Sequence, residues 1–187
     1  AERTGFAMAD VRLLVHGTTI ATNAVLQRRL AKGVLVTTAG FEDVLEIGRH
    51  GRKDIYGLKP RQEPPLIARD RRIGLAERMR ADGSVETELT AAALDAIVAR
   101  IEALEAEAVA VSLINAFVNP AHEEQVAEAI ARARPDLPVS TSSTVSPEIR
   151  EYERTSTTVL NALLMPIVGG FVLIAIGANI LYQHLSA

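Results

Sequence analysis

The sequence of 187 residues contains no cysteine and no tryptophan, and aromatic residues make up only 4% of it. The missing cysteine excludes disulfides, thiolate zinc sites and a cysteine nucleophile. Surfaces that bind nucleic acid use aromatic side chains to stack bases and positive charge to attract phosphates. Few aromatic side chains and a formal charge of −3 therefore argue against nucleic acid as a partner. The first residues do not show the basic and apolar pattern of a signal peptide, so we expect a cytoplasmic protein.

Motifs for metal binding and covalent catalysis are also missing. The four histidines are scattered, without the paired spacing of metal ligands. The sequence contains neither a Gly-x-Ser-x-Gly elbow nor a P-loop. We therefore expect no metal site held by this chain alone.

Short apolar runs alternate with helical patterns along the chain. The apolar runs predict strands at residues 11–15, 34–36, 109–114 and 139–141, and the helical pattern predicts a helix at 21–30. Thr90 is predicted to cap one later helix, and Asn119 with Pro120 to begin another. This alternation predicts an α/β fold, a mixed sheet with covering helices.

A hairpin and a final helix complete the predicted elements. Residues 72–77 and 85–89 flank an Asp-Gly pair, which is typical of a β-hairpin turn. Ser146 and Pro147 predict the start of the last helix. That helix carries Glu151, Arg154 and Thr155, which point either into a cleft or, as a charged face, into solvent.

Residues 16–29, HGTTIATNAVLQRR, predict a ligand cradle between a strand and a helix. Gly17 allows a sharp turn, and Thr18 or Thr19 can cap the helix. The free N–H groups of the first helical turn attract an anion or a polarised oxygen, and His16 can exchange a proton nearby. The simpler alternative is a capped helix that follows a histidine at a strand end.

Two further segments depart from regular patterns. A loop from Arg49 to about residue 70 is basic, and it either clamps a carboxylate or phosphate or lies in solvent or against a partner. No charged residue follows Arg154, and residues 159–182 are apolar enough to suggest a buried strand or helix, with a membrane anchor or an altered terminus as alternatives. We divide the chain into an α/β domain at 1–168 and an apolar tail of unclear role at 169–187.

Four segments of the sequence, in the same order, resemble the hydantoinase A/5-oxoprolinase family, which includes N-methylhydantoinase and acetone carboxylase subunits. The segments are residues 16–29, 36–49, 112–123 and 146–162. The resemblance runs from about residue 9 to residue 166. It implies an actin-like ATPase (ribonuclease H-like) architecture and the ATP-dependent opening of cyclic amides such as hydantoin or 5-oxoproline. Relatives in this family also serve as subunits of ketone carboxylases.

The resemblance also implies a site and its partners. The implied catalytic residues are His16, Thr18 and Thr19. The implied substrate- or nucleotide-binding residues are Gly17, Asn23, Arg49, Glu151 and Arg154. ATP with Mg²⁺ is implied in the full-length enzyme.

The glycine-rich phosphate loop that opens the family is missing, so we expect a fragment or short member that binds no nucleotide alone and is inactive in isolation. The expected partners are then a second subunit or further domains of the same enzyme, and we expect the enzyme to be an oligomer. A non-catalytic α/β interaction module, or a subunit of an ATP-dependent ketone carboxylase, is the alternative. The sequence does not distinguish among hydantoin, 5-oxoproline and ketone substrates.

Overall fold

The computed structural model describes residues 19–49 and 64–185, with side chains up to residue 170. The predicted strand at 11–15, the residues His16, Gly17 and Thr18, and most of the basic loop lie outside the described residues. The α/β class is confirmed, because a parallel sheet carries helices on both faces.

The main sheet consists of four parallel strands, β1 (Gly33–Thr38), β2 (Arg72–Leu75), β5 (Ala108–Ser112) and β6 (Val139–Thr141). Their order across the sheet is β2-β1-β5-β6. β1 and β5 are buried along their whole length, as their continuous apolar sequences predict for central parallel strands. The predicted strands at 34–36 and 139–141 are confirmed, and the strand predicted at 109–114 forms but ends at Ser112.

Alternate side chains of the central strands enter two separate cores. On one face Val34 and Val109 pack with α3 (Ala91–Ala103) and α4 (Ala121–Ala133). On the other face Leu35 packs with Val159 and Leu163 of the last helix. The period of two along each strand thus decides which helix each residue contacts.

The predicted hairpin forms, but it is shorter than predicted. β3 (Arg78–Met79) pairs antiparallel with β4 (Val85–Thr87) around Gly83, whose φ of 84° needs glycine. Residues 72–75, which we assigned to the hairpin, instead form β2 beside β1, where Leu75 is buried in the core. Burial against the sheet outweighed the local turn signal. Among the described residues, antiparallel pairing is confined to this hairpin.

The helix caps follow the sequence. Thr90 accepts a hydrogen bond from the N–H of Ala93 at 3.2 Å, which confirms the cap of α3. Asn119 accepts from the N–H of Ala121 at 3.1 Å, and α4 begins at Ala121, one residue after the predicted start at Pro120. The first helix, α1 (Ile20–Leu26), ends earlier than predicted, and Arg28 follows it with a φ of 52°. The short helix α2 (Val44–Ile47) lies after β1.

The predicted start of the last helix at Ser146 is wrong. A short helix, α5 (Ser142–Val145), ends there, and α6 (Glu151–Leu185) begins five residues later. Pro147 disfavours helical backbone at the residue before it, and Ser146 has a φ of −155°.

α6 contains 35 residues and continues through Pro166 and through position 168 without a break. The tail therefore continues a helix that packs against the sheet at its beginning. The division of the chain at residue 168 stays a prediction. Within the described residues, no helix combines the length and apolar character that crossing a membrane requires.

Candidate functional site

The carboxyl ends of β5 and β6 meet the beginning of α6 at one edge of the sheet, and Thr38 at the end of β1 accepts a hydrogen bond from Ile114 just after β5. This edge is where open parallel sheets bind ligands. The Ser112 hydroxyl, at the end of β5, forms a buried hydrogen bond of 2.8 Å with Thr155 of α6. The edge therefore joins the strand ends directly to the helix that carries two of the predicted binding residues, Glu151 and Arg154.

Arg154 lies in the interior of this edge, and its side chain is fully buried. Its Nε donates to Ser142 Oγ at 3.1 Å, Nη1 to the Glu148 carbonyl at 2.8 Å and Nη2 to the Leu113 carbonyl at 2.9 Å. It also forms an ion pair with Glu151. Arg154 therefore fastens the start of α6 to β5 and α5, and its contacts are with the chain's own acceptors.

Glu151, the first residue of α6, lies between this interior and solvent, with its side chain 31% exposed. Burial raises the pKa of Glu151 above the ordinary glutamate value, against the opposing effects of the Arg154 guanidinium and the Asn115 N–H. Asn115 has a φ of 61°, a left-handed conformation that asparagine tolerates better than most residues. The side-chain contact of Glu151 is its ion pair with Arg154.

Arg49 reaches the same helix turn from the segment after α2. Its side chain is 67% exposed and forms an ion pair with Glu153. The backbone N–H of Glu153 and the Arg49 guanidinium hold the pKa of Glu153 below its ordinary value. The structure thus brings Arg49, Glu151 and Arg154, three of the predicted binding residues, to the beginning of α6.

The predicted cradle is described only in part. Thr19 occupies the position before α1, but its side chain makes no capping hydrogen bond. Instead the Asn23 side-chain amide donates to Thr19 Oγ1 at 3.3 Å, and both residues are exposed. Because His16, Gly17 and Thr18 lie outside the described residues, the cradle itself stays a prediction.

Sequence reasoning missed the buried carboxylate of Glu123. Its Oε1 accepts from the Leu113 N–H at 2.9 Å and from Ser142 Oγ at 2.6 Å, and its Oε2 accepts from the Ser143 N–H at 2.8 Å. Glu123 belongs to the first turn of α4, where an acidic residue also suits the helix dipole. In the sequence, the helix dipole alone is enough to explain an acidic residue at this position. The sequence therefore does not indicate that Glu123 is buried.

A second buried carboxylate, Glu77, was missed as well. Glu77 accepts a hydrogen bond from the Thr38 hydroxyl, and its Oε2 forms a hydrogen bond of 2.7 Å with His122 Nδ1. Thr38 Oγ1 in turn accepts from the Ile114 N–H at 3.0 Å. Thr38 lies in β1, Glu77 follows β2, and His122 lies in α4. Only the fold brings these three residues together.

A shallow groove of about 280 Å³ lies beside this edge, between α1 and α6. Its walls are mostly apolar, with the hydroxyls of Tyr152 and Ser156 among the polar groups. The residues that line it are Val25, Arg28, Leu45, Pro64, Pro65, Leu66, Tyr152, Ser156, Val159 and Leu160. A groove of this kind suits a small, largely apolar group.

The described residues include no group of three or more histidine and acidic side chains that could hold a metal ion. What the edge offers chemically is a rigid, hydrogen-bonded frame with two partly exposed glutamates and one exposed arginine. Such a frame positions groups and binds charges.

Comparison with known proteins agrees with the resemblance. The family model for the hydantoinase/oxoprolinase N-terminal region matches residues 1–133. The caprolactamase alpha subunit of Pseudomonas jessenii is 38% identical over 168 residues, which covers 88% of this chain and 24% of the relative. The acetophenone carboxylase gamma subunit of Aromatoleum aromaticum is 35% identical, over 82% of this chain and 23% of the relative.

A 5-oxoprolinase from Pestalotiopsis fici is 31% identical, over 90% of this chain and 15% of the relative. The crystal structure of the ATP-dependent caprolactamase from Pseudomonas jessenii superposes with a TM-score of 0.82 at 33% identity, over 93% of this chain and 26% of that one. The chain therefore spans a quarter or less of the length of these relatives. It belongs to the hydantoinase/oxoprolinase family and corresponds to the N-terminal region of that family.

Proposed function

We propose that this chain is the N-terminal region of an ATP-dependent hydrolase that opens cyclic amides, with hydantoin or 5-oxoproline as the substrate. The observation that carries the proposal is the similarity of fold and sequence to an ATP-dependent caprolactamase along nearly the whole chain. Caprolactam and 5-oxoproline are both cyclic amides, so two of the named relatives act on one chemical class.

The chemistry explains the need for ATP. Resonance makes an amide carbonyl a poor electrophile, and transfer of a phosphoryl group from ATP to the amide oxygen removes that resonance. Water can then attack the ring carbon, and phosphate leaves as the ring opens. For such a reaction the protein contributes mainly positioning and stabilisation of charge.

In this proposal the residues of the chain divide by task. His16, Gly17 and Thr18, with Thr19 and Asn23 at the start of α1, form the cradle for the polarised oxygen. Their support is the strand, turn and helix pattern of the sequence and the family resemblance.

The residues at the start of α6 have different tasks. Arg49 and Glu151 are exposed enough to contact a ligand. Arg154 acts through them as a positioning residue, because its side chain is buried among protein acceptors.

ATP with Mg²⁺ is the proposed cofactor of the complete enzyme. The turn after β5 does not fit a phosphate in this structure, because the N–H groups of Leu113 and Ile114 already bind Glu123 and Thr38. We therefore assign nucleotide binding to other parts of the enzyme. A second subunit is the proposed partner, since relatives are named as subunits, and the cytoplasm is the proposed location.

The test uses the complete enzyme that contains this region. ADP release is measured with hydantoin, 5-oxoproline and caprolactam, and separately with acetophenone and bicarbonate. Release that depends on a cyclic amide and not on bicarbonate supports the proposal. Release only with the ketone and bicarbonate overturns it in favour of a carboxylase subunit, and release with none of these compounds also overturns it.

The cradle is tested in the same assay by His16→Ala and Thr18→Ala. Both variants are expected to lower kcat by at least about a hundredfold, the usual contribution of a positioned acid, base or oxyanion donor. Thr22→Ala, on the exposed side of α1, is the matched control and is expected to retain activity. Unchanged kcat in both cradle variants would show that the assignment is wrong.

A further inference from the structure

The groove between α1 and α6 combines apolar walls with two hydroxyl groups. Val25 of α1, Leu45 of α2 and Leu160 of α6 contribute apolar side chains to its lining. Tyr152 and Ser156 contribute the hydroxyls, and because they are four residues apart on α6 they share one face of the helix. The groove therefore presents two polar groups, one helical turn apart, against an apolar background.

The fold itself does not use these two hydroxyls. Within the part of the chain that the structure describes, neither Tyr152 nor Ser156 forms a side-chain hydrogen bond, and both residues are half-buried. The hydroxyls of Thr155 and Thr158 in the same helix are instead buried and bonded within the chain. A hydroxyl can both donate and accept a hydrogen bond, so Tyr152 and Ser156 keep both capacities for a ligand.

Contacts of the chain hold the walls of the groove in place. Arg28 Nη1 donates to the Pro64 carbonyl at 2.8 Å, which joins the end of α1 to the opposite wall. Gly48 lies against the ring of Tyr152, since a Cβ placed at Gly48 would be 3.7 Å from that ring. The groove is thus formed before a ligand binds, which lowers the entropic cost of binding, and its Tyr152 side adjoins the residue that precedes Arg49.

A cyclic amide matches this combination of groups. The ring holds the amide bond cis, so the N–H and the C=O point to the same side, and the remaining ring atoms of a lactam are apolar. Two neighbouring hydroxyls can accept from the N–H and donate to the C=O, while the apolar walls remove the ring carbons from water. A cyclic ketone of the same ring size offers the acceptor alone.

We propose that the groove between α1 and α6 is a binding site for a lactam ring, in which the Tyr152 and Ser156 hydroxyls orient the amide. Val25, Leu45 and Leu160 contact the apolar part of the ring. The identity of the ligand rests on the proposed function, whereas the site itself rests on the lining of the groove and on its two unpaired hydroxyls.

The test titrates caprolactam into the full chain and follows the backbone amide resonances of residues 152 and 156 by NMR. Tyr152→Phe and Ser156→Ala are each expected to weaken binding about three- to tenfold, the equivalent of one neutral hydrogen bond. Both variants should fold, because neither removes a hydrogen bond within the described part of the chain. Cycloheptanone, which has the same ring size and no N–H, should bind more weakly than caprolactam.

Thr157→Ala is the matched control, since Thr157 is exposed on α6 beside Ser156 and does not line the groove. A loss of affinity in either hydroxyl variant that Thr157→Ala lacks supports the site. The proposal is overturned if caprolactam does not bind, if it shifts resonances away from the groove, or if all three variants bind it as the wild type does. Equal affinity for cycloheptanone also overturns it, because the groove would then select for apolar rings alone.

Turnover of the complete enzyme separates this site from the proposed function. Tyr152→Phe and Ser156→Ala should raise KM for the cyclic amide with little change in kcat, as expected for groups that bind substrate and transition state alike. ADP release that depends on a cyclic amide, with KM unchanged in both variants, overturns the site and leaves the proposed function standing. Binding of caprolactam in the groove without such ADP release supports the site and overturns the proposed function.

Discussion

Two arginine–glutamate pairs meet the first turn of α6, and they differ in burial. The interior pair joins Arg154, which is fully buried, to Glu151. The surface pair joins Arg49, with 67% of its side chain exposed, to Glu153. In the sequence both arginines fit the description of a ligand-binding residue, since each is a cation in a polar segment of a recognisable motif.

The difference teaches that burial, more than residue type, determines what an arginine does. Arg154 has several protein acceptors, so removing it leaves buried polar groups without a partner. Breaking the ion pair between Arg49 and Glu153 costs little free energy, because both side chains are solvated by water. Arg49 can therefore exchange Glu153 for another anion. The interior pair stabilises this edge of the sheet, whereas the surface pair is exposed there and can contact a ligand.

The strongest test of this contrast is Arg154→Ala. We expect it to lower the free energy of unfolding by about 3–5 kcal/mol, the usual cost of removing one partner from a buried ion pair. Urea unfolding followed by circular dichroism gives the value. Arg150→Ala, an exposed arginine one residue before α6, is the control and should change stability little. A loss below about 1 kcal/mol for Arg154→Ala would mean that its contacts do not hold the edge.

Glu123→Gln tests the interior from the α4 side. Because the carboxylate accepts hydrogen bonds at both oxygens, an amide must place its NH₂ against a donor. We expect a loss of about 2 kcal/mol in the free energy of unfolding, measured by urea titration. The neighbouring exposed Glu124→Gln should be neutral, and equal effects in the two variants would contradict the buried role of Glu123.

The two glutamates of α6 should respond to pH with opposite signs. Glu151 has a raised pKa when folded, so its contribution to stability falls as pH rises from the ordinary value of 4.5 towards the folded value. Glu153 has a lowered pKa, so its contribution is present above 4.5 and is lost as pH falls through the folded value.

Unfolding titrations of Glu151→Gln and Glu153→Gln between pH 3 and 7 measure both signs against the wild-type protein, a range of about four pH units around the ordinary glutamate pKa. The stability difference between wild type and Glu151→Gln should become less favourable to wild type as pH rises. The corresponding difference for Glu153→Gln should change in the other direction. The same direction in both variants would remove the electrostatic distinction between the interior and surface glutamates.

The smallest effect on stability is expected for Arg49→Ala. An exposed ion pair contributes less than about 1 kcal/mol, so the free energy of unfolding should hardly change. In the complete enzyme, however, KM for the cyclic amide should rise if Arg49 contacts the ligand as proposed. A loss of stability as large as that of Arg154→Ala would contradict the contrast between the two pairs.

The sequence predicts the sheet better than it predicts the site. Apolar runs such as 109–114 identify central strands, because a parallel strand covered on both faces needs apolar side chains throughout. The sequence also predicts the caps at Thr90 and Asn119, since a cap acts within three residues. Residues 72–75 were assigned to the hairpin, because pairing with a strand more than thirty residues away leaves no local signal.

Burial explains what the sequence could not show about the site. Glu77 and His122 are 45 residues apart, and only the parallel arrangement of β1, β2 and β5 brings them into contact. The sequence placed Arg154 on the last helix with Glu151, facing either a cleft or solvent, but its burial depends on α5 and β5. The contacts of Asn115 depend on its left-handed backbone conformation. An asparagine can adopt this conformation, but its presence in a sequence does not predict it.

The hairpin of β3 and β4 is tied down at two points. The Asn115 side chain donates to the Met79 carbonyl at 2.8 Å, and the Asn119 side chain donates to the Gly83 carbonyl at 2.9 Å. A two-stranded ribbon held only at its base would swing independently of the sheet, but one fastened at base and tip tumbles with it. A fluorophore attached at the exposed Glu86 would therefore report the rotational diffusion of the whole α/β body, and serve as a fixed reference point for measuring distances to the remainder of the enzyme.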